Sequence, residues 1–291
     1  MLLVTGANGQ LGQSFQKMAA QYPNLPFLFA GSSDLDIADG KAVQRFFREH
    51  NLRGCINCAA YTAVDKAESE PEQARRINVS GVEHLARACA AAQIPLIHFS
   101  TDYVYHSRQN RPFVETDAVS PKGVYARTKL QGERAALRLH PTGAMIIRTS
   151  WVYSEFGHNF LKTMLRLGAE RPALSVVFDQ IGTPTYAPDL AEAVLFIIDR
   201  VQHGVLSGSQ LTGIWHYSNE GVASWYDFAQ AIFDIQGLPC RVSPIESAQY
   251  PTPAQRPPFS VMNKYKIKDR LGVSIPHWRE SLIKCLEEMG K

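Results

Sequence analysis

Short apolar runs and amphipathic stretches alternate along the first two thirds of the chain. "MLLVTG", "PFLFAG", "GCINCAA", "IPLIHFST" and "AMIIRTSWVY" are apolar runs of strand length, most of them closed by small or polar residues. Between them, apolar positions recur with the 3.6-residue period of a helix: from about Gln10 to Ala20, through "DGKAVQRFFREH", and over the long stretch from Pro71 to Gln93, with proline in its first turn. Ser120-Pro121 has the N-cap and first-turn chemistry of a further helix ahead of the fifth strand. Repeated alternation of strand and helix predicts an α/β fold, a Rossmann-like doubly wound parallel sheet with right-handed crossovers. After Tyr153 the pattern loosens. "HNFLKTMLRLGAE" and "APDLAEAVLFIIDRV" read as helices, "LSVVFD" as a short strand, and a region rich in Gly, Ser and Pro follows. Its aromatic residues, Trp215, Tyr217, Trp225 and Trp278, need something to pack against. The expected division is a sheet domain over 1–150, to which roughly 186–217 returns, and a smaller C-terminal α/β substrate lobe from 151–185 and 218–291, with a cleft between them.

The first strand runs into "GANGQLGQSF", where Gly6, Gly9 and Gly12 open the first helix. This G-x-x-G-x-x-G spacing is a variant of the dinucleotide fingerprint: one glycine for the tight turn, one for backbone approach to a pyrophosphate, one for close helix–strand packing. The helix N-terminus adds open N–H groups and partial positive charge for the phosphates. It makes the sheet domain an expected NAD(P)-binding domain. An acidic residue after the second strand meets the adenosine ribose in such folds, and "FAGSSDLDIAD" offers Ser32, Ser33, Asp34 and Asp36. No arginine or lysine stands ready there for a 2′-phosphate, although the two serines have hydroxyls to offer one. NADPH and NADH are therefore both expected to serve, with a modest preference for NADPH.

The fourth strand ends in "FSTDYVY", which should turn Ser100 and Thr101 toward a cofactor, because ligands of open parallel sheets bind outside the carboxyl ends of the strands. In "GVYARTKLQGE", Tyr125 and Lys129 lie one helical turn apart on one face. None of the other ten tyrosines is followed by lysine at that spacing. A phenol gives a proton to a developing alkoxide, an adjacent ammonium lowers the phenol's pKa, and the Thr101 hydroxyl binds the same oxygen as charge builds on it. The chemistry this trio suits is carbonyl reduction, with hydride from a nicotinamide.

Composition narrows the setting. With 45% hydrophobic and 20% charged residues the chain is that of a soluble globular protein, and no apolar run reaches the roughly 18 residues of a membrane-spanning helix. The N-terminus has no signal-peptide pattern, so a cytoplasmic protein without a membrane partner is expected. Thirty basic and 27 acidic residues give a net charge of +3 without clustering, which offers nothing to a nucleic acid. Five cysteines have no framework spacing, in keeping with a reducing compartment. Cys55 and Cys58 form a C-x-x-C within a predicted strand, where residues three apart point to opposite faces, so buried structural thiols are expected rather than a redox or metal pair.

The segments "GANGQLG", "LDI", "NCAAYTAVDKAESEPEQARRIN", "STDYVY", "VYARTKLQGE", "RTSWVY", "NFLKTML", "DQIGTPT" and "YPTPAQRP" carry a resemblance that runs nearly end to end. The chain resembles the extended short-chain dehydrogenase/reductase family, in its branch of nucleotide-deoxysugar reductases. The resemblance implies NAD(P)H-dependent reduction of the C4 keto group of dTDP-4-dehydro-β-L-rhamnose to dTDP-L-rhamnose, the last step of dTDP-rhamnose biosynthesis. It implies Tyr125 as acid, Lys129 also holding the nicotinamide ribose, and Thr101 on the reacting oxygen. Gly6, Gln10, Leu11, Asp36, Ile37, Ala59, Ala60 and Tyr61 would line the cofactor groove together with Gly9 and Gly12. Asp102, Tyr103 and Trp151 would lie with the sugar, Asn159 and Arg256 nearer the diphosphate.

Related dehydratases place an Asp-Glu pair after the threonine for proton transfers in water elimination; here Asp102 is followed by Tyr103, which fits simple reduction. "RPPFS" also departs from the branch, with Phe259 where relatives carry asparagine. Two alternatives stay open: another nucleotide-deoxysugar as substrate, and a non-catalytic dinucleotide-binding regulatory subunit like that of methionine adenosyltransferase. The oligomeric state, monomer or homodimer, is open as well. Some relatives form dimers bridged by magnesium on glutamates. At two of those positions stand Ser14 and Pro188, leaving only Glu288, and magnesium favours carboxylate oxygens. Reductase activity is accordingly expected to survive EDTA; activity lost to EDTA and restored by Mg²⁺ would refute the metal-free expectation.

Overall fold

Strands buried on both faces need helices on both sides, and the first half of the chain supplies them in turn. The computed structural model describes residues 1–107 and 109–290. In chain order it runs β1 (Leu2–Thr5), α1 (Gln10–Ala19), β2 (Phe27–Ala30), α2 (Gly40–Glu49), β3 (Gly54–Asn57), α3 (Val64–Ala67), α4 (Pro71–Arg75), a π-helical turn (Arg76–Gly81), α5 (Val82–Ala92), β4 (Leu96–Thr101), a 3₁₀ turn (Asp102–Val104), α6 (Gly123–Leu139) and β5 (Ala144–Thr149). There follow β6 (Val152–Tyr153), α7 (Phe160–Glu170), β7 (Ala173–Val177), β8 (Ile181–Gly182), β9 (Thr185–Tyr186), α8 (Ala187–Gln202), α9 (Gly208–Leu211) and β10 (Gly213–His216). The last part holds β11 (Ala223–Ser224), α10 (Trp225–Gln236), β12 (Arg241–Ile245), α11 (Tyr265–Leu271) and α12 (Trp278–Met289).

Six strands form the central parallel sheet in the order β2-β1-β3-β4-β5-β10. Alternate residues of each strand go to opposite faces. Val4, Ile56, Ile97 and Ile147 face α1 and α8, together with Ile267 and Leu271 of α11. Leu3, Cys55, Leu96 and Ile146 face the other layer, with Val43 of α2 and Leu85 of α5. Strand order reverses between β1 and β3, which opens a crevice at their carboxyl ends. Residues from α7, α10 and α12 close a second apolar core around Phe228 and Trp278, and β7 pairs in parallel with β12 beside it.

Three expected boundaries shift, each for a local reason. The helix from Pro71 to Gln93 is broken by the π-helical turn Arg76–Gly81. That turn aims Asn78 sideways: its amide accepts from Tyr61 N at 2.9 Å and donates to Tyr61 O at 3.1 Å and Thr128 Oγ1 at 3.2 Å. It thereby joins the loop after β3 to α6. Ser120-Pro121 does not open α6. The helix begins at Gly123, which has φ +74, and the Val124 N–H is capped from elsewhere in the chain by Glu68 Oε1 at 2.7 Å. The run "AMIIRTSWVY" is two strands rather than one. Trp151 takes φ +46, a left-handed value rare for a non-glycine residue, and β6 leaves the main sheet to pair with β9.

The cysteines behave as the period-two argument requires. Cys55 is buried on the α5 face, hydrogen-bonded with Cys89, and Cys58 packs on the opposite side. All five are free thiols. The closest backbone approach of the helical layer is at Gly132, where an added Cβ would fall 2.2 Å from Asn78 O. Gly132→Ala should therefore cost about 1–3 kcal/mol by overpacking. The check is a lowered urea midpoint with an unchanged m-value.

Candidate active site

Backbone, before any side chain, makes room at the end of β1. Gly6 has φ +63, and a Cβ there would lie 2.6 Å from Ala59 N; one on Gly12 would lie 2.3 Å from Gly6 O. Gly9 is the N-cap of α1, and no side chain caps the first turn. A concave, uncapped helix N-terminus with no Cβ in the way fits a dinucleotide pyrophosphate. From this turn a cleft of about 430 Å³ extends along the strand ends. Gly9, Gln10, Leu11 and Ala60 line it on one side, and Thr101, Asp102, Tyr103, Tyr125 and Lys129 on the other. Trp151 and Asn159 close it from the lobe.

Other expected groove residues stand off the cleft wall. Ile37 is buried in the core against Gly81. Tyr61 turns its hydroxyl to Glu70 Oε2 at 2.8 Å, and Ala59 N is held by Asn57 Oδ1 at 3.1 Å. Asp36 sits half-exposed beyond β2, accepting from Ala38 N at 2.9 Å. A basic residue from outside that stretch reaches this corner: Arg76 Nη1, on the π-helical turn, is 3.4 Å from Asp36 Oδ2.

At the reacting end the charges are tightly managed. Lys129 is buried, its ammonium donating to Phe99 O at 2.6 Å, and desolvation lowers its pKa to about 8. Tyr125 is hydrogen-bonded with Thr101, but burial and then the neighbouring Asp102 charge push its phenol up to about 12. The expected lowering of the phenol by Lys129 is thus absent from the free cleft, and the phenol keeps its proton throughout the neutral range. The Asp102 carboxyl is turned inward, accepting from Ser260 Oγ at 2.5 Å and Thr101 Oγ1 at 3.1 Å. Burial raises it to about 7. Tyr103 meets Tyr125 edge-on, with ring centroids 5.9 Å apart. Ser100 lines the cleft as expected, while its hydroxyl donates to the buried Glu133.

Beyond Tyr103 the cleft passes into a second cavity of about 900 Å³, the two sharing Tyr103, Phe160 and Trp225. Trp151 stacks flat on Trp225, centroids 3.6 Å apart, and a Cβ on Gly182 would strike the Trp151 ring at 2.7 Å. Arg256 lines this second cavity, and Asp65 holds its guanidinium bidentately at 3.1 and 2.7 Å. Asn159 caps α7 while donating to Gln10 Oε1 at 2.8 Å, so it ties the lobe to the glycine-turn helix.

The RmlD substrate binding domain family matches residues 1–291. The chain belongs to this family. It is similar to the dTDP-4-dehydrorhamnose reductase of Sinorhizobium fredii, 42% identical over 284 residues that cover 96% of this chain and 94% of the relative. A solved dTDP-4-dehydrorhamnose reductase from Clostridium acetobutylicum superposes with TM-score 0.93 at 39% identity, covering 100% of this chain and 99% of the other. One from Bacillus anthracis, in complex with NADP, superposes with TM-score 0.91 at 35% identity over 99% and 98% of the two chains.

The positions weighed for a magnesium bridge are Ser14, Pro188 and Glu288. Ser14 is buried and donates to Gln10 O at 2.8 Å, and Pro188 lies in the first turn of α8. Lys17 Nζ stands between Glu155 at 2.6 Å and Glu288 at 2.8 Å, so an internal ammonium already meets that carboxylate. Sequence reasoning gave no site role to Ser260, Trp225 or Asp65, whose partners lie far along the chain. Glu133 was findable, one turn beyond Lys129 on α6. It forms a buried pair with Arg148 of β5, Oε2 to Nη2 at 2.7 Å and Oε1 to Nε at 3.0 Å. Arg148 Nη1 continues to Tyr105 OH at 2.6 Å, and Tyr105 to His216 Nε2 at 2.7 Å. Burial holds His216 neutral, its pKa near 3. Glu133→Ala should strand the guanidinium and cost about 3–5 kcal/mol, measured as loss of unfolding free energy in urea.

Proposed function

We propose that this protein reduces the C4 keto group of dTDP-4-dehydro-β-L-rhamnose to give dTDP-L-rhamnose, using NADPH and also accepting NADH. The single observation that carries the reading is the placement of Thr101, Tyr125 and Lys129 at one end of a cleft that starts at the glycine turn and opens into a nucleotide-sized second cavity. The RmlD family membership and the reductase relatives, one of them solved with NADP, support it. The sheet domain, 1–150 with 186–217, would hold the dinucleotide, and the lobe, 151–185 with 218–291, the sugar nucleotide. Five free thiols suit the cytoplasm. The protein would act there as a monomer or a homodimer.

When bound, the reduced nicotinamide supplies the hydride to C4. Tyr125 holds the proton at its phenol oxygen and gives it to O4 as charge develops there. Thr101 hydrogen-bonds the same oxygen, a contact worth most when the oxygen is most negative. Lys129 is held against the strand by Phe99 O; by family resemblance it also meets the nicotinamide ribose. Tyr103 and the Trp151–Trp225 stack would exclude water from the sugar; Arg256 lines the second cavity, where the nucleotide would lie, and Asn159 stands in the first cleft beside Gln10. Arg256 suits a diphosphate because its planar fork donates bidentately. Arg76 beside Asp36 gives the adenosine corner a cation for a 2′-phosphate.

The acid is the decisive residue to test. Tyr125→Phe keeps the ring and deletes the proton, so kcat should fall by about 10²–10⁴-fold while dinucleotide still binds. Lys129→Met should impair both turnover and dinucleotide binding, and Thr101→Val should cost less, on the order of 3 kcal/mol or below. Near wild-type turnover by Tyr125→Phe, measured where chemistry limits the rate, would overturn the assignment. It would favour a dinucleotide-binding regulatory subunit instead.

A further inference from the structure

One hydroxyl hydrogen in the cleft has two claimants. Thr101 Oγ1 already accepts from Tyr103 N at 3.2 Å, meets the Tyr125 phenol in a second hydrogen bond, and donates its only hydrogen to Asp102 Oδ1 at 3.1 Å. In the reduction, the same hydrogen is needed on the substrate oxygen. Asp102 is 1% exposed, and its other oxygen accepts from Ser260 Oγ at 2.5 Å. Ser260 is itself 2% exposed and arrives from the C-terminal segment. An ionised carboxylate only accepts, so it draws the Thr101 hydrogen inward. When substrate is bound and the Tyr125 phenol turns its hydrogen to the reacting oxygen, a lone pair of Thr101 Oγ1 is freed; a protonated carboxyl donates its own hydrogen there and releases the threonine hydrogen toward the cleft.

We propose that Asp102, held by Ser260, is a positioning residue for the reduction: its protonated form aims the Thr101 hydroxyl at the reacting oxygen, and its ionised form turns it away. This rests on the reading of Thr101 as the ligand of that oxygen. The surroundings favour the protonated form near neutrality. The ionisable groups facing Asp102 are Tyr103 in its own turn and Tyr125 from α6, both uncharged at neutral pH. Lys129 on α6 is turned to Phe99 O, and Arg256 is engaged by Asp65. Among the described residues no cation offsets the desolvation that raises Asp102 to about 7; hydrogen bonds from Ser260, Thr101 and the Asp102 and Tyr103 backbone moderate it.

The test is the pH dependence of kcat with saturating NADPH and dTDP-4-keto-6-deoxysugar, together with an infrared titration of the protonated carboxyl stretch. Wild-type kcat should fall in two stages as pH rises, the first a step with a midpoint near the Asp102 value and a loss of up to about 100-fold. The titrating carboxyl band should share that midpoint and vanish in Asp102→Asn. The step should be absent from both Asp102→Asn and Thr101→Val. A further fall at higher pH, from Lys129, should remain in both. Ser260→Ala removes a hydrogen bond to the carboxylate form and should move the step to higher pH, a displacement that loss of packing alone does not produce. Wild-type turnover without the step, or a step that persists in Asp102→Asn, overturns the inference while leaving the reductase reading intact. No turnover at any pH removes the reductase reading and this inference with it.

Discussion

The buried ion pair between Glu133 and Arg148 registers the reacting end of the cleft. Glu133 sits on α6 one turn beyond Lys129, and Arg148 is on β5, beside Ser100 in the β4–β5 ladder. The pair does not need to add net stability, because taking two charges out of water offsets much of their attraction. What it does is make slippage expensive. A shift of α6 by one residue along the sheet would leave a carboxylate and a guanidinium buried and unpaired. Because Tyr125 and Lys129 ride on the same helix, the position of the phenol over Thr101 depends on that register. Tyr105 and His216 carry the network on to β10, so three adjacent strands share it.

The second constraint is how the chain leaves the sheet. A strand that continued straight after Thr149 would fill the crevice at the sheet's carboxyl edge. The left-handed backbone at Trp151 turns it outward, and the cost of that conformation is met by packing. The indole lies on Trp225, Gly182 leaves room for the ring, and Thr185 N donates to Trp151 O at 3.1 Å. The same turn delivers Asn159 to Gln10, so the lobe is anchored to the helix that opens the glycine turn. A cleft with two walls from distant parts of the chain follows from this departure.

Desolvation sets the protonation states inside that cleft. Burial pushes the Tyr125 phenol and the Asp102 carboxyl up and the Lys129 ammonium down, each toward its neutral form. A site that binds a polyanionic dinucleotide and a nucleotide diphosphate thus keeps its own reacting end short of negative charge. The cations that could meet phosphate, Arg76 and Arg256, are held at the periphery by Asp36 and Asp65.

By itself the sequence determined the parts that rest on local periodicity and local spacing. The apolar runs marked β1 to β5, the glycines marked the turn, and the Tyr125–Lys129 interval marked one helix face, because each depends on residues within a turn or a strand of one another. The π-helical turn was not legible, since the contacts it makes, Asn78 with Tyr61 and Thr128 and against Gly132, lie on other elements. Nor was the start of α6, whose cap is Glu68, nor the break at Trp151, whose compensating contacts come from Gly182 and Trp225. The same holds at the site. Thr101 could be read from the end of its strand, but not that its hydrogen is shared with Asp102 or that Ser260 holds that carboxyl from 158 residues away. Tertiary structure alone decided these points, because burial and long-range hydrogen bonding set a buried group's partners and charge, and neither is encoded in the residues beside it.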